Sequence, residues 1–166
     1  MCCSWLPEFY DYPVWAEYDK YEMGLFDEFL NVYKNKPIYF TNERVSFKRK
    51  PEYLGKDESF YHMTCRKFEV DKRTGEILER DPDPERMIRI RWSRAIIENH
   101  LCNNGCCMEP YYWTKVFKNG NLRHKIYKDQ YLVILEERED YFLFVTGYYV
   151  DDYRVKRLLQ EYKKCI

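Results

Sequence analysis

The segment from Tyr111 to Val150 constrains the fold more than any other. Four stretches follow one another there, Tyr111–Phe117, Leu122–Tyr127, Tyr131–Glu136 and Tyr141–Val150, each rich in aromatic and β-branched residues. Between them lie Asn119-Gly120-Asn121 and a charged turn of the type Glu137-Arg138-Glu139-Asp140-Tyr141. Short connections of this chemistry join neighbouring antiparallel strands, whereas a parallel pair needs a crossover of a dozen residues or more. The segment therefore predicts an antiparallel meander, and whatever precedes it must cover that sheet.

What precedes it mixes helices with short strands. Residues 1–19 are aromatic and irregular, broken by Pro7 and Pro13. Leu25, Phe26, Phe29, Leu30 and Tyr33 then recur at three- and four-residue spacing, which predicts an amphipathic helix over Lys20–Asn35, closed by Pro37. KPIYFTNERVSF (36–47) predicts a hairpin turning at Thr41-Asn42-Glu43. A polar loop over 49–59 leads to FYHMTCRKFEV (60–70), whose alternation predicts a strand with Phe60, His62, Thr64 and Arg66 on one side. Asp71–Glu76 has turn chemistry, and Ile77-Leu78 begins a short return strand. Asp83-Pro84 is an N-cap followed by proline at the first helical position, opening helices over Glu85–Ile90 and Ser93–Leu101. A last amphipathic helix over Asp151–Lys164 carries Val155, Leu158, Leu159 and Tyr162.

The expectation is one α+β domain over residues 1–166. N-terminal helices pack on one face of a twisted four- to five-stranded antiparallel sheet, and a short helix ends the chain. A chain of 166 residues buries about 70% of its unfolded surface, so neither metal nor disulfide is needed for folding. No run approaches eighteen apolar residues, and MCCSWLPEFYDYP lacks a basic start followed by an apolar stretch. Neither a membrane span nor a secretory signal is expected, and seven cysteines in such a chain fit reduced thiols in a cytoplasm.

The stretch RMIRIRWSRAIIENH (86–100) sets Arg86, Arg89, Arg91 and Arg94 among apolar residues that want a core. On a helix Arg86 and Arg89 share a face, as do Arg91 and Arg94. A guanidinium keeps its charge under partial desolvation and fits phosphate with a planar donor fork, so a phosphate clamp is one reading. The other is ion pairing to Glu79, Asp81, Asp83, Glu85 and Glu98, with the stems covering apolar surface. Lysine plus arginine equal aspartate plus glutamate at 28 each, so any anion site must be local.

His62 lies mid-strand on this reading, and its side chain has the pKa suited to proton transfer near neutrality. His124, beside Lys125 in another strand, could reach the same face. His100 ends a helix, where a cation complements the dipole. Thr146 and Tyr148 share a face near a strand end, with Gly147 between them allowing close approach. His100, Cys102, Cys106 and Cys107, with Cys2-Cys3, contain enough donors for zinc, but the spacing is not a knuckle and free thiols are expected. No phosphate-binding glycine loop, HExxH or GxSxG occurs.

ESFYHMT (58–64), RMIRIRWSRAIIEN (86–99), DQYLVILEERED (129–140) and FLFVTGYYVDD (142–152) resemble, in this order, small phage- and mobile-element-associated proteins of the barnase–EndoU–colicin–RelE superfamily of metal-independent ribonucleases. Members carry His-hydrophobic-Thr/Ser, then Arg-Ile-x-Trp-x-Arg-x-Ile-Ile-Glu-Asn, then a strand ending Val-Thr-Ala-Tyr. The resemblance runs from about residue 36 to 164, with residues 37–166 as the nuclease core and 1–36 preceding it. Two departures are visible: Gly147 replaces that alanine, and CNNGCC (102–107) is an insertion. The resemblance implies RNA cleavage by 2′-hydroxyl attack, leaving a 2′,3′-cyclic phosphate, without a cofactor or metal. It implies His62 as base or acid, Arg91 and Arg94 as phosphate stabilisers ahead of Arg86 and Arg89, and Thr146 with Tyr148 orienting the phosphate. Thr64, His124 and Lys125 would assist substrate binding, with His124 or Lys125 as a second proton-transfer group. Single-stranded RNA or tRNA is the implied partner, and a toxin role would add an antitoxin or immunity protein. The competing expectation is a module that binds RNA or protein through the same face without cutting it. A third is a purely structural protein whose arginines are paired throughout. Convergence of His62, an arginine and Thr146 on one pocket separates catalysis from the other two.

Overall fold

The computed structural model describes residues 3–105 and 107–166. After a 3-10 turn at Trp15–Glu17, helix α1 spans Tyr18–Tyr33 and buries Leu25, Phe29 and Tyr33 along one stripe. A hairpin follows, β1 (Tyr39–Phe40) and β2 (Glu43–Ser46), turned by Thr41 and Asn42 at φ 48° and 72°. A two-residue turn with both φ values positive matches the twist of its flanking strands, which is why asparagine suits it. The smaller hairpin β3 (Glu52–Tyr53) and β4 (Lys56–Asp57) leads into α2 (Glu58–Thr64). Strands β5 (Cys65–Val70) and β6 (Ile77–Pro82) form a separate ribbon, followed by α3 (Pro84–Met87) and α4 (Trp92–Glu98). The meander is β7 (Tyr111–Val116), β8 (Leu122–Lys128), β9 (Tyr131–Glu137) and β10 (Phe142–Tyr149), and α5 (Asp152–Cys165) closes the chain.

The main sheet has six strands in the order β1-β2-β10-β9-β8-β7. It is mixed rather than wholly antiparallel, because β2 lies parallel to β10, pairing Val45 with Phe142 and Ser46 with Leu143. The hairpin thus protects only the first half of that edge. The second half of β10, from Thr146 onward, is left to α2 and α3.

Both sheet faces are covered, which corrects the one-sided arrangement expected from sequence. Along β9, Tyr131, Val133 and Leu135 join the cluster of Leu25, Phe29, Phe60 and Ile96, while Leu132 and Ile134 join Trp113, Tyr127 and Val150 under α5. A strand buried on both sides reads as a continuous apolar run, as YLVIL does.

The largest local correction concerns FYHMT. These residues form α2, not a strand. Phe60, Tyr61, Met63 and Thr64 are all buried, and a strand cannot turn adjacent side chains into one core. Phe60 meets Phe26 and Phe29 edge-on at 5.2 and 5.6 Å, and Tyr61 stacks on Phe68 at 4.3 Å. Thr64 is spent on structure, its Oγ1 donating to the Phe60 carbonyl at 2.9 Å. The alternation is genuine only from Cys65. The Asp83 N-cap is present, with Oδ1 accepting from Glu85 N–H at 3.0 Å.

Gly147 allows a close approach, but by α4 and β9 rather than by a ligand. A Cβ there would run into Ser93 Oγ and lie 2.7 Å from the Tyr131 hydroxyl, and both of those side chains are buried. Gly147→Ala should lower stability by about 1–3 kcal/mol through overpacking. An unchanged denaturant midpoint would mean that this contact relaxes without cost.

Candidate functional site

Three elements meet at the unpaired half of β10. Helix α2 ends there, and the His62 carbonyl oxygen accepts from Arg86 Nη1 at 3.2 Å and from Thr146 Oγ1 at 3.3 Å. The Arg86 guanidinium lies 5.1 Å above the Tyr148 ring. A register shift between Phe144 and Thr146 marks a bulge, the device by which a strand re-aims its side chains. Arg86 comes from α3, whose start the Asp83 cap fixes, and its Nε lies 3.5 Å from Asp83 Oδ2. That contact is an ion pair but not an aligned hydrogen bond, so the buried Nε–H stays unmatched. Burial pulls the Arg86 guanidinium below its ordinary value, with Asp83 acting against it. Burial likewise pushes the Tyr148 hydroxyl up, while Arg86 and Arg154 pull it down.

Tyr148 also lines two adjoining hollows. The smaller, about 110 Å³, lies between Arg66, Arg86, Tyr149 and Arg154, with Asp83, Glu85 and Asp151 balancing the three arginines on its wall. The larger, about 600 Å³, runs under α5 past Lys125, Tyr153, Arg154, Arg157 and Glu161. Arg154 and Arg157 make no ion pair among the described residues, in contrast to the four arginines of the 86–94 stretch. Lys125 is held by Glu161, which also accepts from Lys115 at 2.8 Å and Trp113 Nε1 at 3.1 Å. Those donors keep the Glu161 carboxyl down at about 2 against its desolvation. The groove is thus a partly unneutralised cationic channel with exposed Tyr153 on its wall. It suits a chain of phosphates carrying stackable rings.

The arginines expected to lead do not reach this place. Arg91 Nε bonds Glu28 at 2.6 Å beside α1. Arg94 bonds Glu98 at 2.9 Å and donates to the carbonyls of Val32, Lys36 and Pro37, tying down the exit of α1. Arg89 is buried, bonded to Glu85 at 2.7 Å and surrounded by Phe9, Trp92 and Tyr149. The break between α3 and α4 separates these residues, so one continuous helical face never forms. Neither arginine lines the groove, so Arg91→Ala and Arg94→Ala should leave binding of a polyanion probe there within about threefold, since phosphate contacts act locally. A larger loss in a folded protein would place the ligand on the α1 side.

His124 is buried on the face opposite Lys125, between the Tyr112 hydroxyl and Glu137, each 2.7 Å away. It packs on Phe40 and Phe142 and cannot join the groove. His100 also departs from its expected cationic role. Burial lowers its pKa, its Nδ1 bonds the Ile97 carbonyl at 2.8 Å, and its ring lies 4.4 Å from Phe40. The His62 imidazole is partly exposed and pairs with Glu58 Oε1 at 3.4 Å, so its backbone, rather than its ring, supplies the observed meeting point. Of the residues expected from sequence, Tyr148 and Lys125 line the groove and Arg86 lines the smaller hollow, while Thr146 and His62 meet Arg86 behind them and line neither.

The sequence placed Arg66 on one face with His62 without giving it a site role, and Tyr153, Arg154 and Arg157 were not expected there. The available signal was the closing helix, where Arg154 and Arg157 are three residues apart and Tyr153 precedes them. Among the described residues no cluster of His, Cys, Asp and Glu is arranged to hold a metal. Cys2 and Cys106 lie outside the described residues. No described helix is long and apolar enough to cross a membrane. Comparison with family models, with curated proteins and with solved structures finds no match.

Proposed function

We propose that the protein is an endoribonuclease that cuts single-stranded RNA where the His62, Arg86, Thr146 and Tyr148 cluster opens into the groove under α5. The observation that carries this reading is the meeting of Arg86 and Thr146 on the His62 carbonyl, with Tyr148 beneath the guanidinium and unpaired Arg154 next to it. The sequence resemblance supports the same chemistry.

In that reaction the ribose 2′-oxygen forms a bond to phosphorus and the bond from phosphorus to the 5′-oxygen breaks. One group takes the 2′-hydroxyl proton and another returns a proton to the leaving oxygen. His62 is the proton-transfer group of choice, with the Glu58 carboxylate orienting it. Tyr148 is a hydroxyl donor within the cluster. Arg86 and Arg154 stabilise charge growing on the non-bridging oxygens, and Thr146 positions the cluster through the His62 carbonyl. No step calls on a metal or cofactor.

One observation favours binding without cleavage: the His62 ring turns to Glu58 and does not line the groove. The deciding experiment incubates purified protein and its His62→Ala variant with total RNA and tRNA in EDTA, mapping cut sites and end groups. Cyclic-phosphate ends from the wild type, lost in the variant, are expected. RNA that is retained uncut would support the binding reading, and abolition of cutting by EDTA would overturn the metal-free scheme. If the nuclease is a toxin, its expression should also arrest growth unless an antitoxin or immunity protein is supplied.

A further inference from the structure

Outside the groove's lining, the N-terminal segment and the loop after α4 bring thiols together. Cys3 Sγ and Cys107 Sγ are 3.7 Å apart, although the two residues are separated by 104 positions. Cys3 is buried and Cys107 is exposed. Lys128, itself buried, places its ammonium 3.8 Å from Cys107 Sγ and is also bonded to Glu109 and Asp129. Trp5 Nε1 donates to Cys102 Sγ at 3.3 Å, which anchors the start of the same loop to the same N-terminal segment. Further along, Trp92 Nε1 bonds the Pro7 carbonyl and Tyr10 N–H bonds the Ile88 carbonyl. Two chain segments without regular structure are thus held side by side with a sulfur pair in van der Waals contact.

We propose that Cys3 and Cys107 are an oxidative modification site, closing to an intramolecular disulfide when the protein meets a small-molecule disulfide such as oxidised glutathione. The geometry asks little of the fold. A disulfide needs sulfurs about 2.05 Å apart, and the remaining approach falls on a loop and a terminal segment rather than on a helix or strand. The exposed sulfur reacts first. Cys107, as thiolate, attacks one sulfur of oxidised glutathione, forming a mixed disulfide and releasing one glutathione thiolate, which takes up a proton. Lys128 sits against the sulfur that carries the negative charge in this step. Cys3, after losing its proton, attacks the Cys107 sulfur and expels the second glutathione. Two protein thiols become one disulfide and one oxidised glutathione becomes two reduced molecules, so electrons and protons balance. Burial and the hydrogen bond with Cys107 raise the Cys3 pKa, while Lys128 acts against them.

Closing so long a loop removes freedom from the unfolded chain, so the oxidised form should resist unfolding. The test treats full-length protein with a graded series of oxidised to reduced glutathione, alkylates free thiols and maps peptides under non-reducing conditions. The expected result is a monomer lighter by two hydrogens, with Cys3 and Cys107 in one crosslinked peptide pair. Its thermal midpoint should lie above that of the reduced form and return with dithiothreitol. Cys3→Ser and Cys107→Ser should each abolish the crosslink, whereas Cys2→Ser and Cys106→Ser should retain it. Peptide mapping of the wild type decides the assignment even if a variant fails to fold. A crosslink through Cys2, Cys102 or Cys106, a dimer-only disulfide, or stoichiometric zinc retained by the reduced thiols would overturn the proposal.

Discussion

On the proposed ribonuclease mechanism, Arg86→Ala should reduce RNA cleavage by about 10²–10³-fold, the loss that follows removal of one well-placed charge stabiliser. Arg86→Lys should recover little of it. An ammonium cannot donate to the His62 carbonyl and to a phosphate through one planar fork, nor lie flat on the Tyr148 ring at 5.1 Å. The alanine variant also leaves Asp83 without its nearest buried cation, so stability falls together with activity. Lysine keeps the charge and thereby separates the two effects. Single-turnover cleavage at saturating RNA, measured beside thermal midpoints for both variants, reads them independently. If Arg86→Ala is folded and cuts at the wild-type rate, the cluster is not the place of reaction. If binding is lost without any wild-type cutting to compare, the groove is a binding surface only.

The second large effect is expected at Glu161. Helix α5 buries no residue completely, and its hold on the sheet combines the Val155, Leu158, Leu159 and Tyr162 packing with one carboxylate. That carboxylate receives Lys115, Lys125 and Trp113, which hold its pKa at about 2, well below the usual carboxylate range. A carboxyl whose folded pKa is depressed contributes stability above its unfolded pKa and loses it as pH falls through the folded one. The contribution should therefore be complete above about pH 4.5 and vanish on acidification towards about 2, amounting to no more than about 3 kcal/mol. Glu161→Gln should remove most of it at neutral pH and flatten the acid limb of the stability curve. Hydrogen exchange along α5 should rise first, since local release of the helix costs less than global unfolding. Because Arg154 and Arg157 ride on α5, RNA affinity should fall with it. An unchanged acid midpoint and unchanged exchange in Glu161→Gln would show that apolar packing alone holds the helix.

The meander, both hairpin strands at the N-terminus, α1, the Asp83 cap and α5 were legible as local patterns. Each rests on interactions between residues close in sequence: turn chemistry, a two- or three-and-a-half-residue period, or a cap two residues from its donor. Other features did not show in that way. FYHMT alternates convincingly until the three-dimensional core asks for Phe60, Tyr61 and Met63 at once, which only a helix supplies. The parallel docking of β2 on β10 joins residues about a hundred positions apart and leaves no periodic trace.

The same division holds for the candidate site. By itself the sequence determined that the chain folds around a four-strand meander, that charge is balanced overall so any anion site is local, and that the chemistry-bearing residues gather in the 58–64, 86–99 and 142–152 stretches. Tertiary structure alone decided which arginine does what. Four guanidinium groups of equal chemistry are divided by the step between α3 and α4. Arg91 and Arg94 brace α1, Arg89 fills an aromatic cage closed by Tyr149 of β10, and Arg86 is carried to the His62 carbonyl and the Tyr148 ring. A side chain's direction depends on the path of the backbone and on neighbours contributed from far along the chain, so the count of arginines could mark a region but not choose among them.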